Sequence, residues 1–523
     1  MRTFCRAFLG AIATVAVVGA SSAETLTIGV LTETTSLDPH FRNNWANLAV
    51  IDHMFGSLVE QGPKAEINAD LAVSWKPLDD KVWEIKLRKG VKWHDGSPFT
   101  ADDVMFTVDR VKQGIPGATV PMDRYFLQGG KAYKKIDDYT IQVSSPKAYP
   151  LLVDDLSIAH IISRKNGTGL KPDDYNAGKG LVGTGPYKFV EFRQGDHITF
   201  EANPDYWGGK PIWDKVILRP INSDPARVAA LLGGSVDVIN EVPTTMVATL
   251  EADDRVDVFK ESSRRTIMMW PDHSRLRSPF VTDKDGKPIV PNPLRDWRVR
   301  RAINHAINRQ AIVDRIMNGQ GTPASQIVFL GGFGYNPAIK VPKYDPELAK
   351  SLLKEAGFGD GFKLGIHTAQ AKYGNDVKVS QAFAQMLSAV GIESTVVVVP
   401  NASYNSARRK GTGSIPLSSL GSVNADPGSL VTALHTFDPS EGYGMANWGR
   451  FSNRNFDNMA ETLVNTTDRL TREKIIQEAF ALAAEEVAVW PLYWTKVIMA
   501  ARKGLKVAPR SDQWTLAQSV SKK

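Results

Sequence analysis

Alternation between apolar and polar positions defines the first elements of the chain. In residues 81–104, KVWEIKLRKGVKWHDGSPFTADDV, Trp83, Ile85 and Leu87 alternate with Glu84, Lys86 and Arg88, the period-two pattern of a half-buried strand. Gly90 marks a turn, Val91 and Trp93 resume the alternation, and Asp95-Gly96 before Ser97-Pro98 is a second turn signal. Thr100 with Asp103 three residues on forms a capping-box pattern, and Val104, Val108 and Val111 follow on one helical face. The segment therefore reads as hairpin, turn and helix.

Farther along, the period changes to that of helices. Asp345-Pro346 opens a helix carrying Leu348, Leu352 and Ala356, with Gly357 as its stop, and 362–367 then reads as a strand. A helix over 377–390 closes at Gly391 and leads into a valine-rich strand, 393–399, and this order predicts a parallel crossover. Another helix starts near Asp296, with Val299, Ile303 and Ile307 inward and Arg298, Arg300 and Arg301 outward on a solvated face. A helix over 471–486 leads into Val487-Ala-Val-Trp-Pro-Leu-Tyr-Trp494, a run too short to cross a membrane that reads as a buried strand. The sum is a mixed α/β protein of several domains.

The N-terminus sets the compartment. Arg2 and Arg6 precede an uncharged apolar run over 7–20, and Ser21-Ser22-Ala23 offers the small residues of a cleavage site, so 1–23 reads as a cleavable secretory signal. The only cysteine, Cys5, lies before the apolar run, so the mature chain has neither disulfides nor a lipid-anchor cysteine after that run. Export without bridges predicts a bacterial envelope protein large enough to rely on its core, with two to four domains. Losing Arg2 and Arg6 lowers the formal charge from +7 to +5, too small an excess among interspersed acids to indicate nucleic acid.

Sequence motifs for chemistry are sparse. None of the 9 histidines pairs at helical ligand spacing, so neither a metal site nor a cofactor is expected. His94-Asp95 sits at a turn, and there is no Gly-x-Ser-x-Gly elbow or phosphate loop. Gly183-Thr184-Gly185-Pro186 is glycine-rich, but Pro186 and Lys188 break any dinucleotide fingerprint. What remains is aromatic residues in loops beside polar ones: Asn43-Asn44-Trp45, Trp270 with Asp272, Tyr404 and Trp448. Such groups suit either a binding cleft or ordinary core packing.

Taken together, seven stretches in order resemble family 5 of the bacterial extracellular solute-binding proteins, the peptide, nickel and related ligand receptors of ABC importers. They are Ser36-Leu37-Asp38-Pro39-His40, residues 81–104, GTGPYKF at 183–189, NPDYWGGKP at 203–211, RDWRVRRAINHAINRQAI at 295–312, YDPELAKSLLKEAGF at 344–358, and Pro491-Leu492-Tyr493. The resemblance implies a two-lobed α/β periplasmic binding protein of the large, three-domain, discontinuous type, with a hinge and an interlobe ligand cleft. Transferred to this chain, lobe one takes 24–55, 185–268 and 491–523, with an inserted domain at 56–184, and lobe two takes 269–490. It further implies a monomeric periplasmic receptor, not an enzyme, that hands its ligand to an inner-membrane permease.

The resemblance also places the ligand. Asn43 and Trp45, with Asn44 between them, match pocket positions, and Arg408 matches another, where a guanidinium could grip a carboxylate. Tyr125, Trp270, Asp272, Tyr404 and Trp448 are placed by loop position and residue type. In peptide-binding relatives an acid four positions before the proline of the Asp-Pro-like motif pairs with the ligand's α-ammonium. Here the segment is Leu420-Gly421-Ser422-Val423-Asn424-Ala425-Asp426-Pro427, and that position is Val423. Leu420 stands where peptide receptors often have tryptophan. Either Asp426 or another acid substitutes, or the ligand lacks a free amine there; Asp426 reads equally well as a turn residue before Pro427. A di- or oligopeptide is the default ligand, and an opine, sugar derivative or acidic amide is the alternative. A secreted hydrolase is the competing class.

Overall fold

The computed structural model describes residues 24–41, 45–118, 122–370, 372–400, 403–404, 406–407, 415–422 and 425–523, the side chains of Trp45, Asp123 and Arg124 excepted. The architecture is organised by two long strands, Val256–Met269 and Trp490–Arg502, which pair antiparallel at the centre of a 12-stranded sheet. The second is apolar along most of its length because both of its faces are covered. Val497, Met499 and Ala501 face one core, whereas Ile498 and Ala500 face another.

Beside one end of this pair lie strands Thr25–Val30, Val238–Ile239, Lys215–Pro220, His197–Ala202 and Tyr187–Arg193. Leu26, Ile28, Phe200 and Val216 fill the core there, each buried side chain worth about 1.5–3 kcal/mol relative to exposure. Beside the other end, strands Phe362–Ala369 and Ile392–Val399 pair in parallel, with helix Asp376–Ser388 between them in the chain, as the crossover pattern predicts. Ile267, Phe362, Ile366, Phe383 and Trp490 belong to that core. A separate four-stranded antiparallel sheet, ordered Ala72–Pro77, Val82–Leu87, Thr140–Ser144 and Ala132–Asp137, holds a third core with Trp93, Phe99 and Val104. No helix among the described residues is long and apolar enough to cross a membrane.

Three expectations change. Strand Val82–Leu87 pairs with its preceding and later neighbours rather than with 91–93, so the expected hairpin across Gly90 is absent. Instead Phe99 N–H donates to Val91 O and Trp93 N–H to Ser97 O, and the segment curls back on itself before the helix. That helix, Ala101–Lys112, starts with the full Thr100–Asp103 capping box, and Val104, Val108 and Val111 are buried. In helix Trp297–Ala306, Arg298 and Arg301 are exposed but Arg300 is buried. Its guanidinium donates to Leu294 O, Arg295 O and Glu486 O, three carbonyls that helical periodicity alone does not reveal. In helix Pro346–Glu355 the inward face is Ala349, Leu352 and Leu353, which leaves Leu348 exposed.

Several of the recognisable stretches form the frame. Arg110 Nη2 binds Asp38 Oδ2 at 2.5 Å and its Nη1 donates to His40 Nδ1 at 2.7 Å, all in buried surroundings. Burial, then the charge of Arg110, lowers the His40 pKa to about 3, which keeps the ring neutral as an acceptor requires. His94 accepts from Gly183 N–H at Nδ1 (3.1 Å) and contacts Gly185 O through Nε2 (3.0 Å), so the His-Asp-Gly turn docks onto the Gly-Thr-Gly-Pro stretch. Gly183 leaves no room for a side chain: a Cβ would stand 1.8 Å from Met54 O.

Candidate ligand cleft at the hinge

The two long strands lose register where they cross between the lobes. Ser262 pairs with Lys496 and Thr266 with Trp494, so Ser263, Arg264 and Arg265 together oppose the single residue Thr495. Such a bulge bends a strand and re-aims its side chains. Arg264 turns to Gln61 Oε1 (2.8 Å) and Asp512 (3.6 Å). Arg265 instead lines an open cleft. The neighbouring strand Ile415–Gly421 comes so close that a Cβ at Gly421 would lie 2.6 Å from Arg264 O, which reserves that position for glycine.

The cleft has a volume of about 950 Å³. Asn240 and Glu241 line it from one lobe, Lys372 and Asn375 from the other, and Arg265 and Thr495 along the hinge strands. A smaller recess of about 200 Å³, lined by Ser419, Leu420 and Ser422, shares Arg265 and Gln513 with it. The lobes touch on two sides. Asn375 Nδ2 and Asn318 Nδ2 donate to Thr244 Oγ1 at 3.1 and 3.3 Å. Elsewhere Asp426 N–H donates to Asp154 Oδ1 at 2.9 Å, linking the segment after strand Ile415–Gly421 to helix Leu152–Leu156. Burial, followed by the Asp426 charge, pushes the Asp154 pKa up to about 7.

The expected site residues separate into groups. Asn43, Asn44, Arg408, Val423 and Asn424 lie outside the described residues, and Trp45 opens helix Trp45–Ile51. Leu420 lines the recess. Tyr404 is buried, its hydroxyl donating to Leu417 O, with Lys372 Nζ 5.5 Å from its ring centre. Tyr125 belongs to the core of the inserted segment, its carbonyl accepting from Lys131 Nζ at 2.6 Å. Trp270 is fully buried among Met268, Val431 and Phe451, and Trp448 packs on the same cluster. The Asp272 carboxylate is taken by Arg275 Nε and Ser278 Oγ, each at 2.5 Å. Asp426 binds Arg472 Nε at 2.7 Å and Gly428 N–H at 2.6 Å, which makes it a buried ion-pair partner at a turn.

Tyr125, Trp270 and Trp448 pack in or on cores and Asp272 is held by Arg275 and Ser278; an aromatic beside a polar residue looks alike in a loop and in a core. The residues that line the cleft, Glu241, Arg265 and Lys372 among them, carry only faint signals. An Arg264-Arg265 pair stands inside strand Val256–Met269 between Ser262-Ser263 and the apolar run after Thr266, and Asn240-Glu241 precedes Val242-Pro243 at a loop. Among the described residues there is no group of three metal-ligating side chains.

Comparison with known proteins agrees with this geometry. A family model described as "Bacterial extracellular solute-binding proteins, family 5 Middle" matches residues 66–440. Heme-binding protein A of Haemophilus influenzae is 26% identical over 451 residues, covering 82% of this chain and 79% of that protein. The dipeptide-binding protein of Escherichia coli is 26% identical over 475 residues, covering 84% and 83%. Among solved structures, HbpA2 from Haemophilus parasuis superposes with a TM-score of 0.81 at 22% identity, over 95% of this chain and 100% of that one. With two lobes, a hinge, a cleft between them and most of its length inside the match, the chain belongs to family 5 of the bacterial extracellular solute-binding proteins, the substrate receptors of ABC transporters.

Proposed function

We propose that this receptor is a monomer that captures a di- or oligopeptide between its lobes in the periplasm, after removal of residues 1–23, and presents the closed form to a membrane permease. Lobe one is then 24–55, 185–268 and 491–523, with the insertion 56–184, and lobe two is 269–490. The observation that carries the reading is the cleft of about 950 Å³, lined from both lobes and along the hinge strands. A ligand touching both walls binds the closed form better than the open one, and this difference is what drives closure. Relatives named for dipeptides and for heme show how wide the family's ligand range is.

The experiment is mass spectrometry of ligand carried through purification, followed by thermal-shift screening of the stripped protein against peptides, opines and sugar derivatives. A ligand at 100 times its dissociation constant adds about 2.7 kcal/mol of stability. Peptides should be recovered and should raise the melting temperature; stabilisation by sugar derivatives alone would remove the peptide reading. Val423 favours the second reading, a ligand without a free amine at that point, since Asp426 is already committed to Arg472. Recovery of the bound compound intact after long incubation separates a receptor from a hydrolase.

A further inference from the structure

We propose that a pocket at the Pro491 end of strand Trp490–Arg502 is a second small-molecule site, separate from the cleft, and that it takes a short-chain carboxylate. The assignment is independent of which ligand the cleft binds. The pocket has a volume of about 90 Å³ and shares no lining residue with the cleft or its recess. One water occupies about 30 Å³ in the liquid, so the space suits a body of a few heavy atoms rather than a peptide. Ile327, Ile339, Val489 and Phe480, the last from helix Arg469–Glu485, give it apolar walls. Its polar groups are unequally served. The Gln326 amide is closed on both sides by Asn336, with Nε2 donating to Asn336 O at 2.8 Å and Oε1 accepting Asn336 N–H at 3.1 Å. The adjacent Ser325 is buried, yet its Oγ has no hydrogen-bond partner among the described residues. Ala324 N–H still donates to Leu492 O at 3.1 Å, and Ser325 follows where strand Gly321–Pro323 has ended, so its hydroxyl is left at the pocket wall. A buried hydroxyl without a partner is unfavourable unless something from outside meets it.

The charge lies behind Asn304 and Pro491, two residues of the wall. The buried Arg309 guanidinium donates from Nε to Pro491 O at 2.6 Å, from Nη1 to Asn304 O at 3.2 Å and from Nη2 to Asn304 Oδ1 at 2.5 Å. All three acceptors are neutral. Burial lowers the Arg309 pKa to about 9, and no acid acts to raise it. A buried cation without a counter-ion is costly, and an anion in the adjoining pocket would supply one. With Asn304 Oδ1 held by the guanidinium, Nδ2 is left as a donor. Lys340, exposed at the rim, gives one of its donors to Pro337 O at 2.7 Å and keeps the rest. No aspartate or glutamate lines the pocket. Donors and positive charge without an acid select an anion, and the apolar walls favour a carboxylate carrying a hydrocarbon body over inorganic phosphate.

The test is calorimetric titration of the full mature chain with isobutyrate, its neutral isostere isobutyramide and inorganic phosphate. Isobutyrate should bind about tenfold or more tightly than either, the usual scale for a hydrogen bond to a charged group. Asn304→Asp should abolish that binding, because a carboxylate there answers Arg309 from within the chain and repels a second one; the melting temperature should not fall. Ser325→Val removes the hydroxyl and fills part of the space, and it should weaken isobutyrate about tenfold. Where the valine lowers the ligand-free melting temperature, Ser325→Ala makes the same comparison without added bulk. Lys340→Gln, at the rim, should weaken binding only a few-fold. Equal binding of acid and amide, phosphate binding as tight as that of isobutyrate, or isobutyrate binding untouched by Asn304→Asp and the Ser325 variants overturns the assignment. So does the absence of binding at millimolar isobutyrate, which would mean that solvent alone meets Ser325. Any of these failures leaves the peptide-receptor reading standing, since that reading is tested by the ligand of the cleft.

Discussion

Residues 81–104 and the hinge bulge at Ser263–Arg265 handle polar groups in opposite ways. In the first, the Asp103 carboxylate receives Thr100 N–H at 3.0 Å, Trp93 Nε1–H at 3.3 Å and Arg164 N–H at 2.9 Å, and both nitrogens of His94 are engaged by the Gly-Thr-Gly-Pro stretch. In the second, Arg264 is matched by Gln61 and Asp512, but the Arg265 guanidinium lines the cleft without a partner among the described residues, as does Gln320 Oε1 elsewhere on the cleft wall. A buried polar group that is fully matched specifies structure, whereas an unmatched one at a cavity wall is a demand for something from outside. The stretch that carries the family resemblance is thus matched throughout by its own chain, whereas the bulge leaves one side chain, Arg265, unmatched at the cleft.

This contrast can be broken at either side. The largest effect is expected from Gly183→Ala, because the new methyl would sit 1.8 Å from Met54 O and only backbone movement relieves that. Denaturant unfolding should show a loss of about 4 kcal/mol or more, while the molecules that remain folded bind ligand unchanged. Trp93→Ala comes next. It empties a buried indole site and strips one donor from Asp103, at about 3–5 kcal/mol by the same measurement and again without altered ligand preference. If either substitution changes ligand preference in the folded molecules, the division between the two regions fails.

At the cleft the order reverses. Thr244→Val removes the shared acceptor of two interlobe hydrogen bonds, each worth about 1 kcal/mol, so the open form gains and affinity falls several-fold in calorimetry. The melting temperature without ligand should stay nearly where it was. The effects of pH run in opposite directions at two sites. Burial lowers the His94 pKa to about 4 from an ordinary value near 6.5, so the unfolded chain binds its proton first and stability is lost as pH falls from about 6.5 to 4. His94→Gln should remove that part of the acid slope. Asp154 is raised to about 7 by burial and the Asp426 charge, against the opposing pull of the Asp426 N–H bond, so its buried place at this contact favours the protonated acid and that stability is lost as pH rises from about 4 through 7. Lobe closure followed by small-angle scattering should therefore weaken toward neutral pH in the wild type and show a flatter dependence in Asp154→Asn.

The sequence disclosed what is local. The Thr100–Asp103 box, the Gly357 and Gly391 helix stops and the parallel strands around 362–399 depend on neighbours a few residues away or on one repeated pattern. It did not disclose Arg300, whose reward is carbonyls from two other segments, or the loss of the 82–93 hairpin to strands on either side. The cleft was least legible. Arg265 acquires its position only when Val256–Met269 meets Trp490–Arg502, and Glu241 acquires its conformation only through Arg227. Trp270 and Asp272 looked more like ligand contacts than either, although one packs in a core and the other is saturated by Arg275 and Ser278.

The second hinge strand, Trp490–Arg502, is shared property: Trp490 and Leu492 belong to the core of one lobe, Met499 and Ala501 to that of the other, and Thr495 lines the cleft. A chain made from its N-terminus produces this strand after nearly everything that depends on it. Neither lobe has a complete interior and no cleft exists until it arrives, so the growing polypeptide is without its binding site while the preceding strands are made. Timing of competence is thereby written into the order of the strands, and a receptor of this design becomes able to bind only once Trp490–Arg502 has been made.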